Sequence, residues 1–319
     1  MRRVGLVVFL FPVFLLSMNA CAVFLVPTYT VDIRVIDQEG EPVEGAYVHG
    51  GFGTGSPDYA PNLRRSTGLT DRNGKLRVSG PSLGRVDFYI EKSGFYRSTK
   101  RMQVEGQKRH QIEIVLRDIR NPIPMYTRKA SLLPPSSGQK YGYDFFVGDW
   151  VHEGHKGQEA HIFVEGDIVF IQEDLGHPRY EIELEAEISF PNELDGFQFV
   201  KPVTGAAESA FKSMYEAPEN GYQDHLSVSW SRRLDTGYSG VNVDRPLYLR
   251  IRSRIDEEGN LQSANYCKVF PGLTVIRTAE RVGVAMTYYC NPIANDRNVE
   301  FDRKRNLFTD YQSMQNIKP

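Results

Sequence analysis

The sequence predicts an all-β chain divided into two β-rich domains with at most one short helix. Gly, Pro, Asn and Asp recur every 8 to 15 residues, and the segments between them are short and rich in Val, Ile, Tyr and Phe, residues that suit a pleated, half-buried surface. The 319 residues leave room for two cores at about 100 to 200 residues per domain. A composition of 40% hydrophobic and 24% charged residues is that of a globular protein and argues against a largely disordered chain. The formal net charge of −2 supplies no general attraction for a phosphate backbone, so nucleic acid is not an expected partner.

At the N-terminus, Arg2 and Arg3 precede the apolar run Val4 to Leu16, and Ser17, Met18, Asn19 and Ala20 lead to Cys21. A basic start, an apolar stretch of secretory length and a small residue before a cysteine make residues 1–20 resemble a bacterial lipoprotein signal peptide. Met18 and Asn19 stand where that pattern usually carries Leu and a small residue. The resemblance implies that Cys21 is acylated and becomes the mature N-terminus, with residues 21–28 as a short tether. Two other readings stay open: an uncleaved anchor over Val4 to Val26, long enough to span a bilayer, and ordinary secretion. All three export the rest of the chain.

The first domain is expected over residues 29–119. Val31, Ile33 and Val35 alternate with Asp32 and Arg34, Val86, Phe88 and Ile90 with Arg85 and Asp87, and Ile112, Ile114 and Leu116 with Gln111, Glu113 and Arg117. Each set reads as a strand with one face in a core. Gly40 falls where a hairpin-type turn needs positive φ, Pro42 where no ladder donor is required, and Asp71-Arg72-Asn73-Gly74 is a tight hairpin signal. With Gly45-Ala46 and Gly94-Phe95, these segments resemble the carboxypeptidase regulatory-like domain family. The resemblance implies a seven-stranded, Ig-like, transthyretin-like sandwich that acts as a non-catalytic accessory, spacer or binding module and carries no catalytic residues to transfer. The stretch from Gly50 through Gly51, Gly53 and Gly55 to Arg65 reads as a surface loop. No strand-to-helix context makes it a phosphate cradle.

Residues 120–140, with Asn121-Pro-Ile-Pro and Leu133-Pro-Pro-Ser, read as a Pro-rich extended linker. Charge divides at the same place: residues 31–130 hold 17 Lys+Arg against 12 Asp+Glu, a balance of +5, and residues 141–319 hold 18 against 28, a balance of −10. The second domain, residues 141–308, repeats a strand-turn-strand texture that predicts eight to ten strands, followed by a tail over 309–319. Its clearest hairpin joins Leu247 to Ile255 and Leu261 to Phe270 through Asp256-Glu-Glu-Gly259-Asn260. Helical spacing occurs in Ala207, Phe211 and Met214, which places the one short helix near 205–216.

With Cys21 assigned to a lipid, Cys267 and Cys290 either form a disulfide in an oxidising compartment or remain two buried thiols on neighbouring strands. His152, His155 and His161, with Glu153 nearby, are the weak metal-ligand candidates, but the spacing is not His-Glu-x-x-His, positions i and i+3 of a strand face opposite sides, and they read as solvated loop histidines rather than a metal site. Gly237-Tyr238-Ser239-Gly240 lacks the nucleophile-elbow spacing and reads as a turn. Glu181, Glu183, Glu185 and Glu187 alternate with apolar residues and describe the wet face of one strand rather than a glycosidase pair. Trp150, Trp230 and the 17 tyrosines supply either a sugar-stacking platform or ordinary core.

These observations lead to an expected exported cell-envelope lipoprotein, a non-catalytic binding or structural module held to the membrane by its N-terminal lipid and needing no cofactor. An envelope protein or a glycan is the expected class of ligand. The alternative is an envelope hydrolase or metal-dependent enzyme with its site in the second domain.

Overall fold

The computed structural model describes residues 26–53, 63–173, 180–201, 203, 205–233, 237–240, 245–309 and 317. Among these residues the regular elements are all strands. The first seven are β1 (Thr28–Ile36), β2 (Tyr47–Gly53), β3 (Leu63–Leu69), β4 (Lys75–Pro81), β5 (Arg85–Glu91), β6 (Ser98–Gln103) and β7 (Arg109–Val115). They form two facing sheets, ordered β4-β1-β7 and β3-β2-β5-β6, which make an Ig-like β-sandwich. The period-two residues do what the alternation predicts: Val31, Ile33, Val35, Val86, Phe88, Ile90 and Ile114 are sealed in one core with Val48, Phe52 and Leu116.

The turns are built by their own side chains. Asp71 accepts backbone N–H bonds from Asn73 and Lys75, at 2.9 and 2.8 Å, and Gly74 closes the hairpin at φ +70°. A Cβ at Gly74 would lie 2.3 Å from the Val35 carbonyl oxygen, so only glycine fits there. The stretch read as a loop from Gly50 is in part strand. Gly50, Gly51 and Gly53 belong to β2, while residues 54–62, Gly55 among them, lie outside the described residues.

The second domain contains β8 (Ile123–Leu132), β9 (Tyr141–Asp144), β10 (Asp149–Val151), β11 (Ile162–Glu173), β12 (Tyr180–Ser189), β13 (Gly196–Phe199), β14 (His225–Arg233), β15 (Gly237–Gly240), β16 (Leu247–Ile255), β17 (Leu261–Arg277), β18 (Val282–Cys290) and β19 (Phe301–Asn306). One six-stranded sheet runs β10-β9-β11-β12-β14-β15 and the other β13-β16-β17-β18-β8-β19. Their facing sides enclose the largest core, which includes Trp150, Ile162, Val164, Leu184, Leu249, Val269 and Tyr288. The far side of the second sheet carries its own apolar layer, with Met125, Tyr248, Tyr266, Tyr289 and Phe301. That sheet is therefore buried on both faces.

Three sequence expectations change. Residues 123–132 are a strand paired along β18, not part of an extended linker. The strand escapes a period-two reading because Ile123 and Met125 serve the outer layer while Ala130 and Leu132 serve the inner core, so neither face shows a continuous apolar stripe. Gly237 to Gly240 is an edge strand paired with β14 rather than a turn. The segment 205–216 forms no helix, because its backbone is engaged elsewhere. The Glu208 carbonyl accepts from Thr99 N–H, Ala210 N–H donates to the Arg97 carbonyl, and Tyr215 O accepts from Val299 N–H.

Cys267 and Cys290 lie opposite each other in the β17–β18 ladder, with Cα atoms 4.1 Å apart, and are joined by a disulfide whose sulfurs are sealed in the inner core. The loop spans 22 intervening residues. Replacing both cysteines by serine is expected to lower the unfolding free energy by about 3 kcal/mol on chain entropy alone, measured by denaturant titration of the oxidised wild type against the variant.

Candidate functional site

A group of charged and polar side chains withdrawn from water converges where the two sandwiches meet. Arg117, just past β7, is 2% exposed. Its Nε donates to Gln38 Oε1 at 2.8 Å, and its Nη1 donates to the carbonyl oxygens of Phe211 and Ser213 at 2.9 and 2.6 Å. The guanidinium also lies over the rings of Phe211 and Tyr215, at 4.6 and 4.7 Å. Tyr215 OH donates to Asp118, and Arg120 stacks on the outer side of the same ring at 4.1 Å. Burial pushes the Asp118 carboxyl up, but the Tyr215 hydroxyl and Arg120 outweigh it and hold it below the usual range.

Glu300, 1% exposed, pins the crossing chain. Its carboxylate accepts from Tyr96 OH at 2.8 Å and from the backbone N–H groups of Arg120 and Asn121 at 3.0 and 2.6 Å. Burial and the Glu300 carboxylate together push the Tyr96 phenol far above its ordinary value. Behind it lies Lys268, flanked in the sheet by Tyr248 and Tyr289. Its Nζ donates to Ser213 Oγ at 2.9 Å and lies 4.7 Å from the Phe211 ring and 4.6 Å from the Tyr289 ring. Burial lowers the Lys268 ammonium from 10.5 to about 7, against the pull of Glu300 and with the push of Arg117. Ser213 and Lys268 thus have the spacing of a hydroxyl nucleophile and its base. Both are within 2% of full burial under Phe211, which is 0% exposed, so the pair is closed to a substrate in this conformation.

The residues singled out from the sequence lie elsewhere. Cys21 and residues 1–20 are outside the described residues. His152 is exposed and meets the edge of Tyr141, and His155 pairs with Asp149 at 3.0 Å. His161 is in the core, where its Nδ1 accepts from Phe145 N–H at 3.0 Å, which places the proton of the neutral ring on Nε2. Burial lowers its pKa, against the pull of Asp144 and Glu159. The three histidines do not converge, and among the described residues no group of three His, Cys, Asp or Glu side chains is arranged to hold a metal. Trp150 is in the inner core and Trp230 packs against it. Glu183, Glu185 and Glu187 line the outer side of β12, opposite Ser231, Ser229 and Ser227 of β14.

A groove of about 660 Å³ runs over the outer face of the three-stranded sheet, between Arg34, Lys75, Arg77, Arg109, Asp32 and Glu113. Its charges are largely matched in place. Asp32 accepts from Arg77 at 2.6 Å and from Arg109, and Glu113 accepts from Arg34 at 3.0 Å. In the second domain, the void among Ile188, Phe197, Leu247 and Met286 is only about 10 Å³ and apolar. No helix among the described residues is long and apolar enough to cross a membrane.

No protein-family model matches the chain, and no curated protein matches it. Among solved structures, it is similar to a 3-chlorocatechol 1,2-dioxygenase from Rhodococcus opacus 1CP, at 13% identity over 29% of this chain and 60% of that one, with a TM-score of 0.24. The chain thus spans less than two thirds of that enzyme. It is also similar to BcpA, the major pilin subunit of Bacillus cereus, at 12% identity over 81% and 95% of the two chains, with a TM-score of 0.23. A DUF3823 family protein from Parabacteroides merdae gives 8% identity over 86% and 99%, with a TM-score of 0.20. Likenesses of this size carry no argument about activity or ligand, and the sandwich architecture rests on the chain's own strand ladders.

Two outcomes follow from the junction. Replacing Arg117 by methionine leaves the carbonyls of Phe211 and Ser213 without their donor and is expected to cost about 2–4 kcal/mol in chemical denaturation, with faster proteolysis between the domains. Lys268, at about 7 folded and 10.5 unfolded, holds its proton more tightly in the unfolded chain. Its penalty is complete below about pH 7 and lifts as pH rises from 7 towards 10.5. The Tyr215 and Tyr248 phenols, pushed up to about 12, act in the opposite sense only near and above pH 10. Stability measured from pH 7 to 9.5 is therefore expected to rise in the wild type, and Lys268→Met is expected to flatten that rise.

Proposed function

We propose that the chain is an exported, membrane-anchored lipoprotein of the cell envelope, acting as a non-catalytic structural or binding module. On this reading the first sandwich is a carboxypeptidase regulatory-like domain, the leader is a lipoprotein signal, and Cys21 bears the lipid. The observation that carries the reading is the way the titratable groups are spent. Arg117 and Glu300 are sealed in the contact between the domains and bonded across it, and Lys268 and Ser213 are sealed behind it and bonded to each other. A catalytic centre needs such groups aimed into a space that a substrate can enter. Here they fix the relative placement of two sandwiches, which suits a rigid spacer or presenting arm. The residue pattern before Cys21 supplies the compartment.

The anchoring half of this reading is tested in a bacterial host by metabolic labelling with a fatty-acid analogue. Cys21→Ser is expected to abolish both the label and detergent partitioning. A variant that keeps its label refutes acylation at Cys21, and one that loses the label yet stays membrane-bound is an uncleaved anchor.

A further inference from the structure

The first sandwich has two unlike poles, and the N-terminal segment enters at only one of them. At that pole β1 and β7 begin, β4 ends, and the turns over 82–84 and 104–108 close together. Ser82 N–H donates to the Pro27 carbonyl at 3.0 Å, Leu83 N–H to the Gly53 carbonyl at 2.7 Å, Val104 N–H to the Gly84 carbonyl at 2.8 Å, and Thr30 N–H to the Lys108 carbonyl at 2.8 Å. β3 enters at the same pole, which places exposed Arg64 and Arg65 opposite Phe52 and Gly51. Lys108 and Arg109 are exposed at the same pole on the opposite edge of the sandwich, where β7 begins, and Leu83 holds its side chain out at 53% exposure. On the two turns, Glu105 is the exposed carboxylate. The opposite pole is occupied, because Tyr96, Ser98 and Arg117 meet the second domain there.

We propose that this N-terminal pole is a docking surface for an anionic phospholipid headgroup layer, with Arg64, Arg65 and Lys108 as its cationic contacts and Leu83 as its apolar one. The inference rests on the export and anchoring reading above and adds to it the surface that meets the membrane. Ala22 to Thr28 reach at most about 23 Å at roughly 3.3 Å per residue, so a lipid on Cys21 holds this pole within that distance of the bilayer surface. Basic residues near an anionic surface gain attraction that fades within a Debye length of about 10 Å, and a tether of this reach lets the pole enter that layer repeatedly. An exposed leucine between cations matches the interfacial pattern of apolar contact flanked by charge. The nine residues of β1 separate this pole from the junction by about 30 Å, which directs the second domain away from the lipid.

The test uses the unacylated chain from residue 22 to 319, so its outcome is independent of the Cys21 label. Binding is measured by co-sedimentation with vesicles of phosphatidylcholine alone and of phosphatidylcholine with 30% phosphatidylglycerol, at 50 mM and 500 mM salt. The wild type is expected to bind only the anionic vesicles and to release at high salt. Arg64→Glu/Arg65→Glu/Lys108→Glu is expected to lose at least tenfold in partitioning, whereas a control reversal in the second domain, Lys129→Glu/Arg303→Glu/Lys304→Glu, keeps wild-type binding. Leu83→Trp fluorescence is expected to shift to the blue on anionic vesicles, and Ile293→Trp, at an equally exposed site of the second domain, is expected not to shift. Equal loss in the two triple variants, equal binding to neutral vesicles, or a shift at Ile293→Trp without one at Leu83→Trp overturns the proposal. A failure to label Cys21 with binding intact overturns only the anchoring reading.

Discussion

A guanidinium withdrawn from water between two β-sandwiches organises this molecule. Removing Arg117 from solvent is costly unless its donors find acceptors. The acceptors are Gln38 in the first domain and the carbonyls of Phe211 and Ser213 in the second. The segment around 211 presents these carbonyls to Arg117 in an open conformation held by its backbone bonds to the first sandwich and to Val299, and lies across the outer face of the second sheet. Lying there, it covers Tyr248 and Lys268 and joins the loop that ends at Glu300 through the bond between Tyr215 O and Val299 N–H. The second sheet is thereby buried on both faces.

The same contact explains why the passage between the domains is no loose linker. Glu300 accepts from the two backbone N–H groups at 120 and 121 and from Tyr96 of the first sandwich, so the crossing chain is held from both sides. Two residues later β8 has begun and is committed to the ladder of the second sheet. Buried polar networks of this kind specify one arrangement at the expense of raw stability, since an apolar contact of similar volume would avoid the desolvation of Arg117 and Lys268. Their presence here favours a defined geometry between the sandwiches over a merely adhesive one.

That geometry gives the folded chain a direction. One pole of the first sandwich receives the N-terminal segment among exposed cations, the other is closed by the second domain, and the acidic outer side of β12 belongs to the half beyond that junction. The uneven charge of the two halves thus becomes an axis of the folded molecule, which two freely jointed domains would average away.

By itself the sequence determined what local chemistry controls. Alternation in Val31, Ile33 and Val35 set the faces of β1, Asp71 and Gly74 set a turn, and the Asp256 to Asn260 hairpin has its expected bonds, because each depends on residues a few positions apart. The glutamates of β12 took their places for the same reason, whereas the tryptophans, open from the sequence between a stacking platform and core, were assigned to the core by the tertiary structure. Only the tertiary structure decided the fate of β8, whose apolar residues divide between two cores, and of the segment 205–216, whose helical spacing lost to backbone bonds with Arg97, Thr99 and Val299. The junction itself left no local mark. Gln38, Tyr96, Arg117, Phe211, Lys268 and Glu300 come from six distant parts of the chain, and their burial and altered protonation arise from their meeting, which no pattern of neighbouring residues encodes.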